Sequence, residues 1–196
     1  MTNITQEAQF DNFFALFEQP VQFELVQEHL DHRLRHLQKQ YHPDNALKQQ
    51  TEANVANQAQ LRAEQASALI NKAYQTLSAP DSRAAYLLDL AGQGQHLEDS
   101  IADLDFLEDA MEMRIELDDA IQSTDAATLK QLYPQIIERL QTQSSHFIAA
   151  YQSQAWPAAI DATQKLKFLV KLNADITTAL DEVANAHHSD DDDLYV

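Results

Sequence analysis

The side chains best suited by type and spacing to chemistry are those of His42-Pro43-Asp44. An imidazole two residues from a carboxylate is a pairing used for proton transfer or for holding a metal ion. Either use needs a third group, and none stands nearby in the sequence. The chain has no cysteine, which removes thiol nucleophiles, disulfides and cysteine-held metals. The plainest reading of the tripeptide is a helix stop followed by a turn, a role that proline and aspartate fill routinely. Its surroundings decide how much more it means.

Before it, Val26, Leu30, Leu34, Leu37 and Tyr41 recur every three to four residues, which predicts a helix over 24–41 with one apolar stripe. His32, Arg35, His36 and Lys39 fall on the opposite face, with Arg33 on its flank. Pro43 ends this helix, because the residue before a proline disfavours the helical region. After the tripeptide, Ala66, Leu69, Ile70, Ala73 and Leu77 line a second helix over 49–77. A short loop joining two such helices makes an antiparallel αα-hairpin, with residues 42–44 at its exposed tip. Phe10, Phe13, Phe14, Leu16 and Phe17 form a dense apolar cluster ending at Pro20, which suggests one or two turns of helix. Ser78, Pro80 and Asp81 mark the start of a short helix over 83–91, with Ser78 as its cap. Both glycines, Gly92 and Gly94, lie just beyond it, which makes 92–100 a linker.

Three further helices fit the remainder, over 101–121, 125–153 and 156–186. Asp125 is suited to cap the second, Pro134 to bend it, and Pro157 to sit in the first turn of the third. An antiparallel three-helix bundle closes them most simply. Phe106, Ala110, Met113, Leu117 and Ile121 supply one core stripe, and Leu166, Leu169, Ile176 and Leu180 another. Leu107, Met111 and Ile115 lie at i, i+4 and i+8 on a different face, flanked by Glu108, Glu112 and Asp119. Phe168 also sits off the core stripe, with Leu172 beside it. One helix of a three-helix bundle needs a single broad stripe. The second set is therefore either packing at a domain junction or a docking surface, and as a set it reads as a partner surface. Four consecutive aspartates in 189–196 read as a disordered acidic tail.

Of 196 residues, 31 are acidic and 13 basic, a net charge of -18 that repels nucleic acid and anionic membrane. Two glycines and five prolines leave few helix breakers, so the fold class is all-α. No apolar run approaches the ~20 residues of a membrane span. The opening MTNITQEAQF lacks the basic and apolar regions of a signal peptide, and a cytoplasmic protein is expected.

Taken together, NFFALFEQP, QYHPDN, INKAYQTLSAPDSRAAYLL, FLEDAMEMRIELDDA and KLKFLVKL resemble the HscB family of J-domain co-chaperones, over roughly residues 10 to 186. The resemblance implies a J-domain over 10–91 and a scaffold-binding three-helix bundle over 101–188, with the glycine-marked linker over 92–100 between them; the acidic tail over 189–196 lies outside it. It implies no catalytic residue, metal ligand or cofactor. His42, Pro43 and Asp44, with Arg33, Arg35 and Lys39, would meet a DnaK-type chaperone, HscA. Leu107, Glu108, Met111, Glu112, Ile115, Asp119 and Phe168 would meet an IscU-type scaffold for iron–sulfur clusters. At two of these positions the chain differs from the family pattern: Glu108 stands where an apolar residue is typical, and Ile115 where an acidic one is. The implied role is delivery of the scaffold to the chaperone and stimulation of its ATPase. The alternative is a general J-domain co-chaperone that delivers unfolded clients.

Overall fold

The computed structural model describes residues 11–41 and 53–192, the side chains of 53–59 and 187–192 excepted. All regular structure among them is helical. The tripeptide His42-Pro43-Asp44 lies outside the described residues. Two compact units divide the chain, Met1–Leu87 and Leu88–Val196.

In the first unit, α1 (Phe13–Leu16) is capped by Asn12, whose side-chain oxygen accepts from the Ala15 N–H at 2.9 Å. Four residues do not hold a helix in water unaided. Tertiary contacts hold this one: Phe14, Leu16 and Phe17 are buried, and Phe13 and Phe14 stack on Tyr86. The Phe13 N–H also donates to the Tyr86 hydroxyl at 2.9 Å.

Helix α2 (Gln27–Gln40) buries Leu30 and Leu37. Val26 precedes it as an exposed N-cap, so the apolar stripe starts one turn later than its periodicity suggests. Helix α3 (Ala53–Ser78) packs against α2 and buries Ala63, Ala66, Ile70, Ala73 and Leu77. Asp31 accepts from the Tyr74 hydroxyl at 2.7 Å, while Gln38, further along α2, reaches Asn71, earlier in α3. The two helices therefore run antiparallel, as the hairpin reading requires.

Helix α4 (Pro80–Leu90) begins three residues earlier than expected, because the fixed φ of Pro80 suits a first helical turn. Ser78 does not cap it: Ser78 is the last residue of α3, and its hydroxyl donates to the Gln75 carbonyl at 3.4 Å. Arg83 reaches back to the Leu77 carbonyl at 2.8 Å and lies 5.0 Å over the Phe23 ring.

The second unit opens with a turn in which Gly92, at φ +71°, donates to the Asp89 carbonyl. Residues 92–100, read as a linker, are held along the last helix. The Gln164 amide donates to the His96 and Asp99 carbonyls at 2.8 and 3.0 Å, and Lys167 pairs with Glu98. Then follow α5 (Leu104–Gln122), α6 (Ala126–Gln152) and α7 (Trp156–Asp192). Asp103 caps α5 through the Phe106 N–H, and Asp125 caps α6 through the N–H groups of Ala127 and Thr128. Pro134 lies inside α6 without ending it.

Short turns pass through left-handed residues, Thr124 at φ +54° and Gln154 at +57°, and return each helix against its predecessor. Helix α7 runs to Asp192, into the segment read as an acidic tail, because no glycine or proline follows Pro157 to stop it. Met113, Leu117, Leu129, Leu132, Ile136, Leu169, Leu172 and Ile176 form the core. Leu172, placed beside Phe168 by the sequence reading, is thus a core residue at 1% exposure.

Candidate functional site: two docking faces

The first face is the outer side of α2. Arg35, Lys39, His32 and His36 are exposed there, as a basic docking face needs. Arg33 is different. Its side chain is only 18% exposed, pairs with Glu18 at 2.9 Å and donates through Nε to the Leu16 carbonyl at 3.3 Å. It ties α2 to the end of α1, so its charge is already compensated within the unit. The hairpin itself is braced by Gln27, Asp31 and Tyr74. Hydrogen bonds from Tyr74 and then Gln27 hold the Asp31 carboxyl below its usual range, and the bond to Asp31 raises the Tyr74 hydroxyl.

The second face lies on α5. Met111 and Ile115 are 55% and 59% exposed, and Glu108, Glu112 and Asp119 are exposed beside them. Leu107 is half-buried. Ile115, Glu112 and Asp119 line a shallow depression completed by Glu116, Asp125 and Thr128. Six of the seven residues read as one set therefore share α5, with the apolar members exposed or partly so. Phe168 comes from α7 and is half-buried against the core. It meets α5 through Phe106, ring edge to ring face at 6.3 Å, so its contribution is partly to support α5 from below.

Two residues escaped the sequence reading. Leu104, the first residue of α5, is 76% exposed, more than any other large apolar side chain among the described residues. The sequence signal was its spacing of seven from Met111, inside the helix expected over 101–121. Lys165 is buried, with Nζ 2.6 Å from Asp103, 2.8 Å from Asp161 and 5.3 Å from the Phe106 ring centroid. The signal was a lysine four residues before core Leu169.

Burial by itself would lower the Lys165 ammonium, but its bonds to Asp103 and Asp161 outweigh that and raise it. The same bond from Lys165, then the Phe106 N–H, holds Asp103 below the usual carboxylate range. The cap of α5 is thereby fastened to α7. Arg114 adds a second tie between these helices, pairing with Asp175 as well as with Asp118 on its own helix.

Neither face is a deep pocket with convergent polar groups, and both have the form of protein-binding surfaces. No helix among the described residues is long and apolar enough to cross a membrane.

A family model described as the HSCB C-terminal oligomerisation domain matches residues 102–177, which contain the whole of α5 and α6 and more than half of α7. The co-chaperone protein HscB homolog of Acinetobacter baumannii is 37% identical over 180 residues, covering 92% of this chain and 96% of its own. The solved structure of chaperone HscB from Vibrio cholerae superposes with a TM-score of 0.67 at 34% identity, over 88% of this chain and 99% of that one. The Jac1 co-chaperone from Saccharomyces cerevisiae gives 0.59 at 25% identity, over 85% and 94%. Similarity of this extent runs through the helical hairpin and the three-helix bundle alike, and the chain belongs to the HscB family of J-domain co-chaperones.

Proposed function

We propose that this protein binds an IscU-type iron–sulfur scaffold through α5 and Phe168, and delivers it to a DnaK-type chaperone of the HscA kind. It then stimulates that chaperone's ATPase through residues 42–44 and the basic face of α2. The observation that carries this reading is the second stripe of α5. A helix that already buries Ala110, Met113 and Leu117 leaves Met111 and Ile115 in water, beside a row of carboxylates. A J-domain that only stimulated a chaperone would need no such face.

No bond is broken by the co-chaperone itself. It acts by binding one state of the chaperone better than another, since equal affinity for both would shift nothing. Arg35 and Lys39 steer the approach to an acidic surface, which makes association fast and salt-sensitive.

The test is ATP hydrolysis by the purified DnaK-type chaperone, with and without scaffold, using this protein and its His42→Gln variant. The variant is expected to stay folded and bind scaffold while losing stimulation. Full stimulation by the variant would overturn the assignment. Stimulation by unfolded clients in place of the scaffold would favour the general co-chaperone.

A further inference from the structure

Exposure of one leucine means little on its own, since single apolar side chains are common on protein surfaces. Leu104 is distinguished by what it lines up with and how it is mounted. At 100° per residue, Met111 and Ile115 return to within about 20° of the line drawn from Leu104 along α5. The three form a straight apolar strip about 16 Å long at 1.5 Å per residue, with Leu107 on one side and Glu108, Glu112 and Asp119 along the other.

The mount is unusually firm for a helix start. Asp103, immediately before Leu104, accepts from the Phe106 N–H at 3.0 Å and from Lys165 at 2.6 Å. Lys165 is itself buried and held a second time, by Asp161 at 2.8 Å. Helix ends usually fray, so an apolar side chain there would have to be ordered on binding at an entropic cost. Here the backbone is ordered in advance.

We infer that Leu104 is the outer anchor of the scaffold-docking strip, contacting an apolar ridge on the scaffold that is bordered on one edge by lysine or arginine. This rests on the function proposed above and extends that face by almost one turn beyond Leu107, to the first residue of α5. Charge argues against the obvious rival occupant, a second copy of this chain. Pairing α5 with itself would bring Glu108, Glu112 and Asp119 close to their own counterparts, in a protein of net charge -18.

Calorimetric titration of purified scaffold into the full chain tests this, with Leu104→Ala and Met111→Ala compared and sedimentation run on each. Leu104 is exposed, so folding is preserved, and the fluorescence of Trp156 verifies it. Leu104→Ala is expected to weaken scaffold affinity about tenfold, similar to Met111→Ala, with unchanged ATPase stimulation in the absence of scaffold. Loss of affinity in Met111→Ala but a change under twofold in Leu104→Ala would overturn the inference and leave the proposed function standing. Unchanged affinity in both would overturn the two together. A Leu104→Ala effect on self-association, with scaffold affinity intact, would assign the strip to a second copy and overturn the inference.

Discussion

Lys165 offers a test of what holds α5 in place, because its charge and its stem are separable. Its side chain is 9% exposed, while those of its partners Asp103 and Asp161 are 42% and 40% exposed. Removing the ammonium therefore leaves two carboxylates that water can reach, and no buried orphan charge is created. The stem is another matter. Lys165→Ala strips three buried methylenes beyond Cβ, which at ~0.8 kcal/mol each predicts a loss of about 2 kcal/mol. Lys165→Met keeps a stem of similar length and replaces the ammonium with a thioether that packs against Phe106. It should cost under ~1 kcal/mol. The assay is urea unfolding followed by the fluorescence of Trp156, the single tryptophan. Trp156 packs edge-on against Tyr151 at the start of α7 and so reports on the second unit. If Lys165→Met costs as much as Lys165→Ala, charge rather than packing holds the start of α5, and this reasoning fails.

Three further outcomes are expected. Arg33→Ala should lower the stability of the first unit by about 1–2 kcal/mol through loss of its bonds to Glu18 and the Leu16 carbonyl, whereas Arg35→Ala should leave stability unchanged and slow chaperone association more at low salt than at high. Thermal melts and stopped-flow binding distinguish the two, and equal stability effects would refute the division. The Asp31–Tyr74 bond should stabilise between about pH 4 and pH 10, the unfolded values of the two groups. Asp31 is lowered on folding, so its share is lost as pH falls through the folded value; Tyr74 is raised, so its share is lost as pH rises through the folded value. Melting temperature across pH should therefore fall less at both extremes in Tyr74→Phe, and an identical profile would count against the bond. Pro134→Ala should stabilise the bundle, by up to ~3 kcal/mol, since an exposed proline inside α6 removes a helical hydrogen bond; an unchanged or lower urea midpoint would show that α6 needs its proline.

The two faces have different physical grounds for their roles. On α2 the cations Arg35 and Lys39 are long and exposed, suited to steering an encounter. On α5 the apolar residues sit on a helix tied to α7 by Asp103–Lys165 and Arg114–Asp175, suited to a defined, pre-ordered contact. The proposed function, capture of a scaffold and its delivery to a chaperone, would be served by that division.

Among the described residues, the order and approximate limits of the helices were legible in the sequence. Apolar spacing of three and four, the cap at Asp125, Pro157 in a first helical turn, and the cluster of both glycines after α4 are local signals, and local signals survive in a linear string. The second stripe of α5 was legible for the same reason, because one helix cannot turn two faces to one core. Which partner each residue finds was not legible. Arg33 was read with Arg35 as a docking cation, but Glu18 and the Leu16 carbonyl, fifteen or more residues away, claim it. Phe168 reads by spacing only as off the core stripe, and it is folding that brings Phe106 on α5 to its ring. Lys165 resembled any lysine until folding set Asp103 beside it, and Leu104 resembled any helical leucine until folding left it in water. Periodicity is a property of neighbours along the chain; burial, ion pairing and the presentation of a surface belong to neighbours in space, and only the packed bundle supplies those.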